Sequence, residues 1–467
     1  MKIQFLGADR QVTGSRYLLE AAGLRMLIDC GLFQERPYLE RNWDPFPVPP
    51  ASIDSLLLTH AHADHCGLIP RLVKQGFHKK ILATAATIDL AKIVLLDAAH
   101  LQEEDAAFKK KRHEREGRRG PHPEIPLYTT REAEQAFPLF QEVPYETPIR
   151  FNDQTIVRYH DAGHILGSSM LEIEIAENGK KRSIIFSGDI GQWNKPLVRD
   201  PSIFESADFI VMETTYGDRN HEDPGEIEDL LARVINDTVE RGGNIVIPIF
   251  AVERAQEMMF FLGKLARESR IPRLLVFLDS PMAVEVTKVF ARYQASLDEE
   301  VREIYQSGQQ PFDFPGLKLL TTVEESKAIN RIRGSCIIMA GSGMCTGGRI
   351  KHHLMHNIER PESTILFVGY QARQTLGRQI LDRSPRVRIN GAMFQVKVRI
   401  SQIEGFSGHA GKDDLLRWLD AFKTPPRRLF LTHGEEEVSL SLARLLQGRD
   451  RGWSVTVPKY QETHELA

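Results

Sequence analysis

Thr59-His60-Ala61-His62-Ala63-Asp64-His65 places three histidines and one aspartate within six positions, directly after the apolar run Ser55–Thr59. His60 and His62 can project the same way from an extended strand end, because side chains alternate. Asp64 and His65 can then turn toward a second metal about 3.5–4 Å away. Nitrogen and carboxylate donors without cysteine suit a catalytic zinc pair better than a structural cysteine-rich site. Three more candidate ligands stand at strand ends. His164 lies in Asp-Ala-Gly-His-Ile-Leu-Gly-Ser, Asp189 in Phe-Ser-Gly-Asp-Ile-Gly and His433 in Leu-Thr-His-Gly-Glu. Each alone would be read equally well as structural; beside the histidine loop, they read as ligands.

Such a site needs a scaffold that delivers loops to one place, and the chain supplies three patterns. To about Asp208 it is mostly short β-type runs, among them Ile3–Leu6, Tyr17–Ala21, Arg25–Asp29, Thr155–His160, Met170–Ile175 and Ser183–Ser187. From Phe209 to Asn390 strands alternate with helical patterns (Glu226–Arg241, Glu253–Arg267 and Met282–Tyr293), which predicts a parallel sheet with crossover helices. From Gly391 the chain returns to β-rich character and ends with the strand Arg428–Leu431 between helices near Lys412–Phe422 and Val438–Leu446. The expected domains are therefore 1–208, 209–390 and 391–467, with the last completing the first.

The 467 residues are 42% hydrophobic and 26% charged, an ordinary globular composition with room for a large core. Cys30, Cys66, Cys336 and Cys345 are scattered, which favours a reducing compartment. No run of about 20 apolar residues occurs, so no membrane partner is expected, and the expected location is the cytoplasm. A formal net charge of −3 does not exclude nucleic acid, because a local groove sets the field that matters. One segment, Lys109–Arg119, carries seven basic and two acidic residues. It reads either as a solvated helix end or as the edge of a phosphate-binding groove.

Asp29, His60, His62, Asp64, His65, His164 and Asp189 resemble the ordered motif series of the metallo-β-lactamase superfamily. The α/β insert resembles the β-CASP region that marks its nucleic-acid-processing branch. Glu213 in Met-Glu-Thr-Thr-Tyr-Gly, His409 in Gly-Phe-Ser-Gly-His-Ala, His433, and the stretches Ala340–Gly348 and Val368–Arg378 are also similar to that branch. The resemblance covers nearly the whole chain. It implies a four-layer αββα metallo-hydrolase domain carrying an inserted α/β β-CASP domain.

It also implies roles. His60, His62 and His164 would hold one zinc, Asp64, His65 and His433 a second, and Asp189 would bridge them. Asp29 would steady the histidine loop from behind. A hydroxide shared by the two zinc ions would attack phosphorus in single-stranded RNA. The implied catalytic residues are His409, Glu213 and Asp64, with His409 protonating the departing oxygen and Glu213 orienting it. Gly341, Ser342, Gly343 and Ser407 would contact phosphate, although Gly341–Gly343 reads equally as a tight turn. Arg373 and Arg378 would contact the RNA backbone or simply lie on the surface. A homodimer is compatible with the sequence.

Other readings compete. A small-molecule hydrolase of the same superfamily would need neither the long insert nor His409. A diiron oxidoreductase resembles His-x-Glu-x-Asp in its loop, whereas Ala61 and Ala63 flank His62 here. A non-catalytic scaffold would have lost ligands, and none is missing. A DNA-directed β-CASP nuclease is the hardest rival to exclude, since the metal chemistry does not use the 2′-hydroxyl.

Overall fold

A computed structural model describes every residue except 118, 119, 121, 178, 222, 223, 373, 450 and 467. Two units emerge. Unit 1 comprises Met1–Trp193, Asp200–Asn220 and His409–Ala467; unit 2 comprises Asn194–Arg199 and His221–Gly408.

In chain order, the strands of unit 1 before the insert are β1 (Lys2–Gly7), β2 (Arg16–Ala21), β3 (Leu24–Ile28), β4 (Ser55–Leu57), β5 (Lys80–Ala83), β6 (Phe140–Glu142), β7 (Ile149–Asn152), β8 (Thr155–Asp161), β9 (Ser169–Glu177), β10 (Lys180–Phe186) and β11 (Phe209–Glu213). Unit 2 adds β12 (Ile245–Pro248), β13 (Leu275–Asp279), β14 (Leu317–Leu319), β15 (Cys336–Ala340), β16 (Thr364–Phe367), the hairpin β17 (Arg386–Ile389) and β18 (Ala392–Gln395), and β19 (Arg399–Gln402). Unit 1 closes with β20 (Arg428–Thr432), β21 (Val455–Thr456) and β22 (Thr463–Glu465).

Unit 1 holds two seven-stranded sheets, ordered β22-β1-β2-β3-β4-β5-β6 and β21-β20-β11-β10-β9-β8-β7. Side-chain alternation builds its layers. In β11, Phe209 and Val211 join the core between the sheets, while Ile210 and Met212 join a second core on the far side. There they meet Leu415, Trp418 and Leu419 of the helix Lys412–Asp420 and Leu442 and Leu446 of the helix Glu436–Gln447. A strand buried on both faces must be apolar throughout, and Phe209–Met212 is. In the other sheet, Leu19, Ile28 and Leu57 face the shared core, and the intervening Leu18, Leu27 and Leu56 are buried too. The expected αββα architecture is what these layers form.

Between β4 and β6 the chain forms the helices α1 (Ala63–Cys66), α2 (Ile69–Lys74) and α3 (Ala85–Glu116). The β-rich reading of this region overlooked the length of α3. Its first half is apolar on most sides and its second half is charged, so a helical stripe is hard to see. Thr84 starts it by accepting a hydrogen bond from the Thr87 amide, and Gly117 ends it in the left-handed conformation.

Unit 2 has a six-stranded sheet, β14-β13-β15-β12-β16-β19, in which every pair is parallel. This is the arrangement that alternating strands and helices predict. Residues 391–408 lie with this unit, because Arg399–Gln402 pairs with Thr364–Phe367. Among the described residues, no helix is long and apolar enough to cross a membrane.

Candidate metal centre

The histidine loop begins where β4 stops. Thr59–Ala61 form no regular element, and the extended His62 caps α1, whose single turn brings Asp64 and His65 round. Asp29, just past β3 with a left-handed φ of 58°, ties this loop down. Its Oδ1 accepts from the Thr59 amide (2.8 Å), and its Oδ2 accepts from the Thr59 hydroxyl (2.9 Å). The same carboxylate lies 2.7 Å from His65 Nδ1. Since the Thr59 hydroxyl donates to Asp29, it accepts from His60 Nδ1, 3.0 Å away. The network therefore assigns both imidazoles the tautomer with a proton on Nδ1, leaving the Nε2 lone pairs free.

Those lone pairs converge on Asp189. His60 Nε2 is 3.2 Å from His62 Nδ1, which is 3.1 Å from His164 Nε2. Asp189 Oδ2 lies 3.3 Å from His60 Nε2 and 3.5 Å from His164 Nε2. On the other side, His65 Nε2 is 3.2 Å from His433 Nε2, and His433 Nε2 is 3.5 Å from Asp64 Oδ2. Asp189 Oδ1 completes this group at 3.2 Å from His65 and 3.6 Å from His433. A tetrahedron with bonds of about 2.0–2.1 Å has edges of about 3.3–3.4 Å, so both donor sets have the spacing of a zinc shell. Asp189 Oδ1 is buried and has no hydrogen-bond partner, as a carboxylate oxygen reserved for a cation would be. The residues therefore fit a metal.

Electrostatics agree. Burial drives the pKa of His60 down to about 3 and that of His62 to about 4, and it holds His164 well below its usual range. These three are neutral donors at physiological pH. Burial opposes ionisation of Asp64 and Asp189, but the surrounding histidines, His433 foremost, outweigh it and keep both carboxyls ionised. Burial also opposes protonation of His65 and His433, but it is outweighed by Asp189 together with Asp29 at His65 and with Asp64 at His433.

His409 stands beside these groups with its side chain 20% exposed, against 1–2% for His60, His65, His164 and His433. Its Nδ1 lies 3.1 Å from both oxygens of Glu213 and 3.9 Å from Asp189 Oδ2. Glu213, at the end of β11, also accepts from the amides of Ile190 (2.7 Å) and Thr215 (3.3 Å). Burial opposes protonation of His409, yet the Glu213 and Asp189 charges raise its pKa to about 9.

Sequence reasoning missed several hydroxyls that contact the candidate ligands. Thr59 links Asp29 to His60, Ser168 accepts from the His164 amide at 3.1 Å, and Thr215 lies 3.1 Å from His433 Nδ1. Each neighbours a motif residue in sequence, which was the available signal. The expected phosphate-contact residues belong to unit 2. Ser342 Oγ accepts from the Thr346 and Gly347 amides, shaping its own loop, and Gly343 has no room for a Cβ against Phe250. Ser407 is buried, Arg378 pairs with Asp382 at 2.9 Å, and Arg373 lies outside the described residues.

Comparison with known proteins decides the kinship. Residues 18–206 match the metallo-beta-lactamase superfamily domain, 255–380 the Beta-Casp domain and 393–458 the Zn-dependent metallo-hydrolase RNA specificity domain. The chain is 38% identical over 462 residues to Ribonuclease TTHA0252 of Thermus thermophilus, covering 99% of each chain. It belongs to the β-CASP family of the metallo-β-lactamase superfamily. Two further β-CASP relatives carry the name Transcription termination factor FttA. The Methanosarcina mazei protein is 32% identical over 95% of this chain and 68% of its own length. The Methanocaldococcus jannaschii protein is 31% identical over the same shares. A crystal structure of a protein of unknown function from Enterococcus faecalis V583 shares the fold, with a TM-score of 0.54 over 99% of both chains at 12% identity. As a β-CASP protein with this site, the chain is a metal-dependent hydrolase of the nuclease class.

Proposed function

We propose that this enzyme is a two-zinc ribonuclease acting on single-stranded RNA. The observation that carries the reading is the division of Asp189, with Oδ2 facing His60 and His164 and Oδ1 facing His65 and His433. His60, His62 and His164 would hold one ion and Asp64, His65 and His433 the other, with Asp189 reaching both. Such a pair, when bound, supplies a water acidic enough to react near neutral pH and offsets charge on the phosphate.

The chain's own residues do the rest. Glu213 engages His409 Nδ1, so Nε2 is the atom that would give a proton to the departing oxygen. With a pKa of about 9, His409 holds that proton at neutral pH. The Ile190 and Thr215 amides hold Glu213, fixing the imidazole's aim. The RNA preference is supported by the RNA specificity domain matched at 393–458 and by the ribonuclease among the relatives.

The test is metal analysis of the purified protein together with digestion of 5′-labelled and internally labelled single-stranded RNA and DNA. About two zinc ions per chain and RNA ladders lost on chelation are expected. Full activity without metal, or cutting confined to DNA, overturns the reading.

A further inference from the structure

Helix α3 reaches far from the metal centre. At its start, the hydroxyls of Thr84 and Thr87 both donate to the Gly167 carbonyl (2.7 Å each), three positions past His164. With a rise of about 1.5 Å per residue, Phe108 stands about 35 Å along the axis from that anchor. One face of the outer half is tied down. The Gln102 side chain accepts from the Leu127 amide, Glu103 accepts from Thr130, and His113 Nδ1 lies 2.7 Å from Glu124. Ala106, on this face, is buried.

The opposite face is bare. Leu101 and Phe108 lie seven positions apart, hence in line, and are 48% and 62% exposed. Lys111 and Arg115 continue that line one and two turns beyond Phe108. Lys109 pairs with Asp105 and Arg112 with Glu116, whereas among the described residues Lys111 and Arg115 make no ion pair. An exposed phenylalanine alone would be unremarkable. An exposed ring followed on the same face by two cations without an ion pair, with Glu104 on its other side engaged by His100, is a pairing a single nucleic-acid strand can use: a stacking surface for a base and positive charges for its phosphates.

We propose that the outer face of α3 is a second contact for single-stranded RNA, with Phe108 stacking on a base and Lys111 and Arg115 holding neighbouring phosphates. The proposal rests on the ribonuclease reading. It makes long substrates bind more tightly than strands too short to span the helix.

The test uses the full-length protein and phosphorothioate-substituted, fluorescent single-stranded RNA in two lengths, one shorter than about 35 Å and one several times longer. Phe108→Ala should weaken binding of the long strand roughly 5- to 100-fold. Lys111→Gln with Arg115→Gln should flatten its salt dependence by a slope of about 1.4, at about 0.7 per phosphate. Neither should alter binding or cleavage of the short strand. If both variants bind the long strand like the unaltered protein, while that protein binds and cuts RNA, the second contact is refuted and the ribonuclease reading stands. If the unaltered protein binds no RNA, the ribonuclease reading itself falls. Loss of self-association with unchanged RNA affinity would make this face a contact between copies of the chain and overturn the proposal.

Discussion

Thr215 Oγ1 lies 3.1 Å from His433 Nδ1 and 3.1 Å from the carbonyl oxygen of the same residue. The hydroxyl has one proton, and the carbonyl can only accept it, so Nδ1 must donate back to Oγ1. That leaves the His433 lone pair on Nε2, the atom facing Asp64 and Asp189. Thr215→Val should therefore weaken metal at the Asp64–His65–His433 group by about 10–100-fold, measured by competition with a chelator. Thr215→Ser should restore it. Equal metal retention in both variants would show that the hydroxyl does not set the tautomer.

Asp189→Asn should be far more damaging. An amide offers one neutral oxygen where the carboxylate presents two charged ones to two donor groups. Both metal content and cleavage should collapse together, as seen by elemental analysis and single-turnover rates. A variant that retained both ions would show that bridging is dispensable.

His409→Ala should separate chemistry from metal. No donor of either group is removed, so metal content and RNA affinity should hold while cleavage slows roughly 10²–10⁴-fold. A substrate whose leaving group needs no proton should recover part of the rate. Loss of metal would instead identify His409 as a ligand.

The pH profile should carry the mark of Glu213. His409 is raised from 6.5 to about 9, so its proton is fully present below the unperturbed value and is lost as pH rises through about 9. Activity should fall along that alkaline limb. Glu213→Gln removes the charge that raises the pKa, and the limb should move toward lower pH. An unmoved limb would assign the titration to another group.

Gly31 is a packing constraint on the same loop. A Cβ there would collide with the Asp64 carbonyl, which accepts from the Ser15 amide at 2.8 Å. Gly31→Ala should displace Asp64 and His65, costing roughly 1–3 kcal/mol or more and lowering metal content. Thermal unfolding with and without zinc would check both effects. Native stability and full metal content would show that the loop yields without cost.

The metal motif was the most legible part of the sequence. His60, His62, Asp64 and His65 are packed so closely that one loop must present them all, and His164, Asp189 and His433 each sit at a strand end. The regular succession of strands and helices after Phe209 made the parallel sheet of the insert readable as well, while the αββα layers followed from the family resemblance. What stayed hidden depended on partners distant in sequence. Thr215 finds His433, and Thr59 finds Asp29, only once the sheets have assembled. The full extent of α3 escaped notice because its character changes halfway along. The place of residues 391–408 was equally hidden, since Arg399–Gln402 looks like any short strand until its neighbour, β16, is known.

Unit 1 is made of three separate stretches of chain, and this orders events during synthesis. Lys2–Gln4 pairs with Thr463–Glu465, so one edge of β1 stays open until β22 has been made. His409 and His433 also arrive only with that final stretch. A nascent chain that has completed its inserted unit thus still lacks His409 and His433, the residues proposed as proton donor and metal ligand. With those proposed roles, the nuclease stays disarmed until both residues have been made, close to the very class of molecule it cuts.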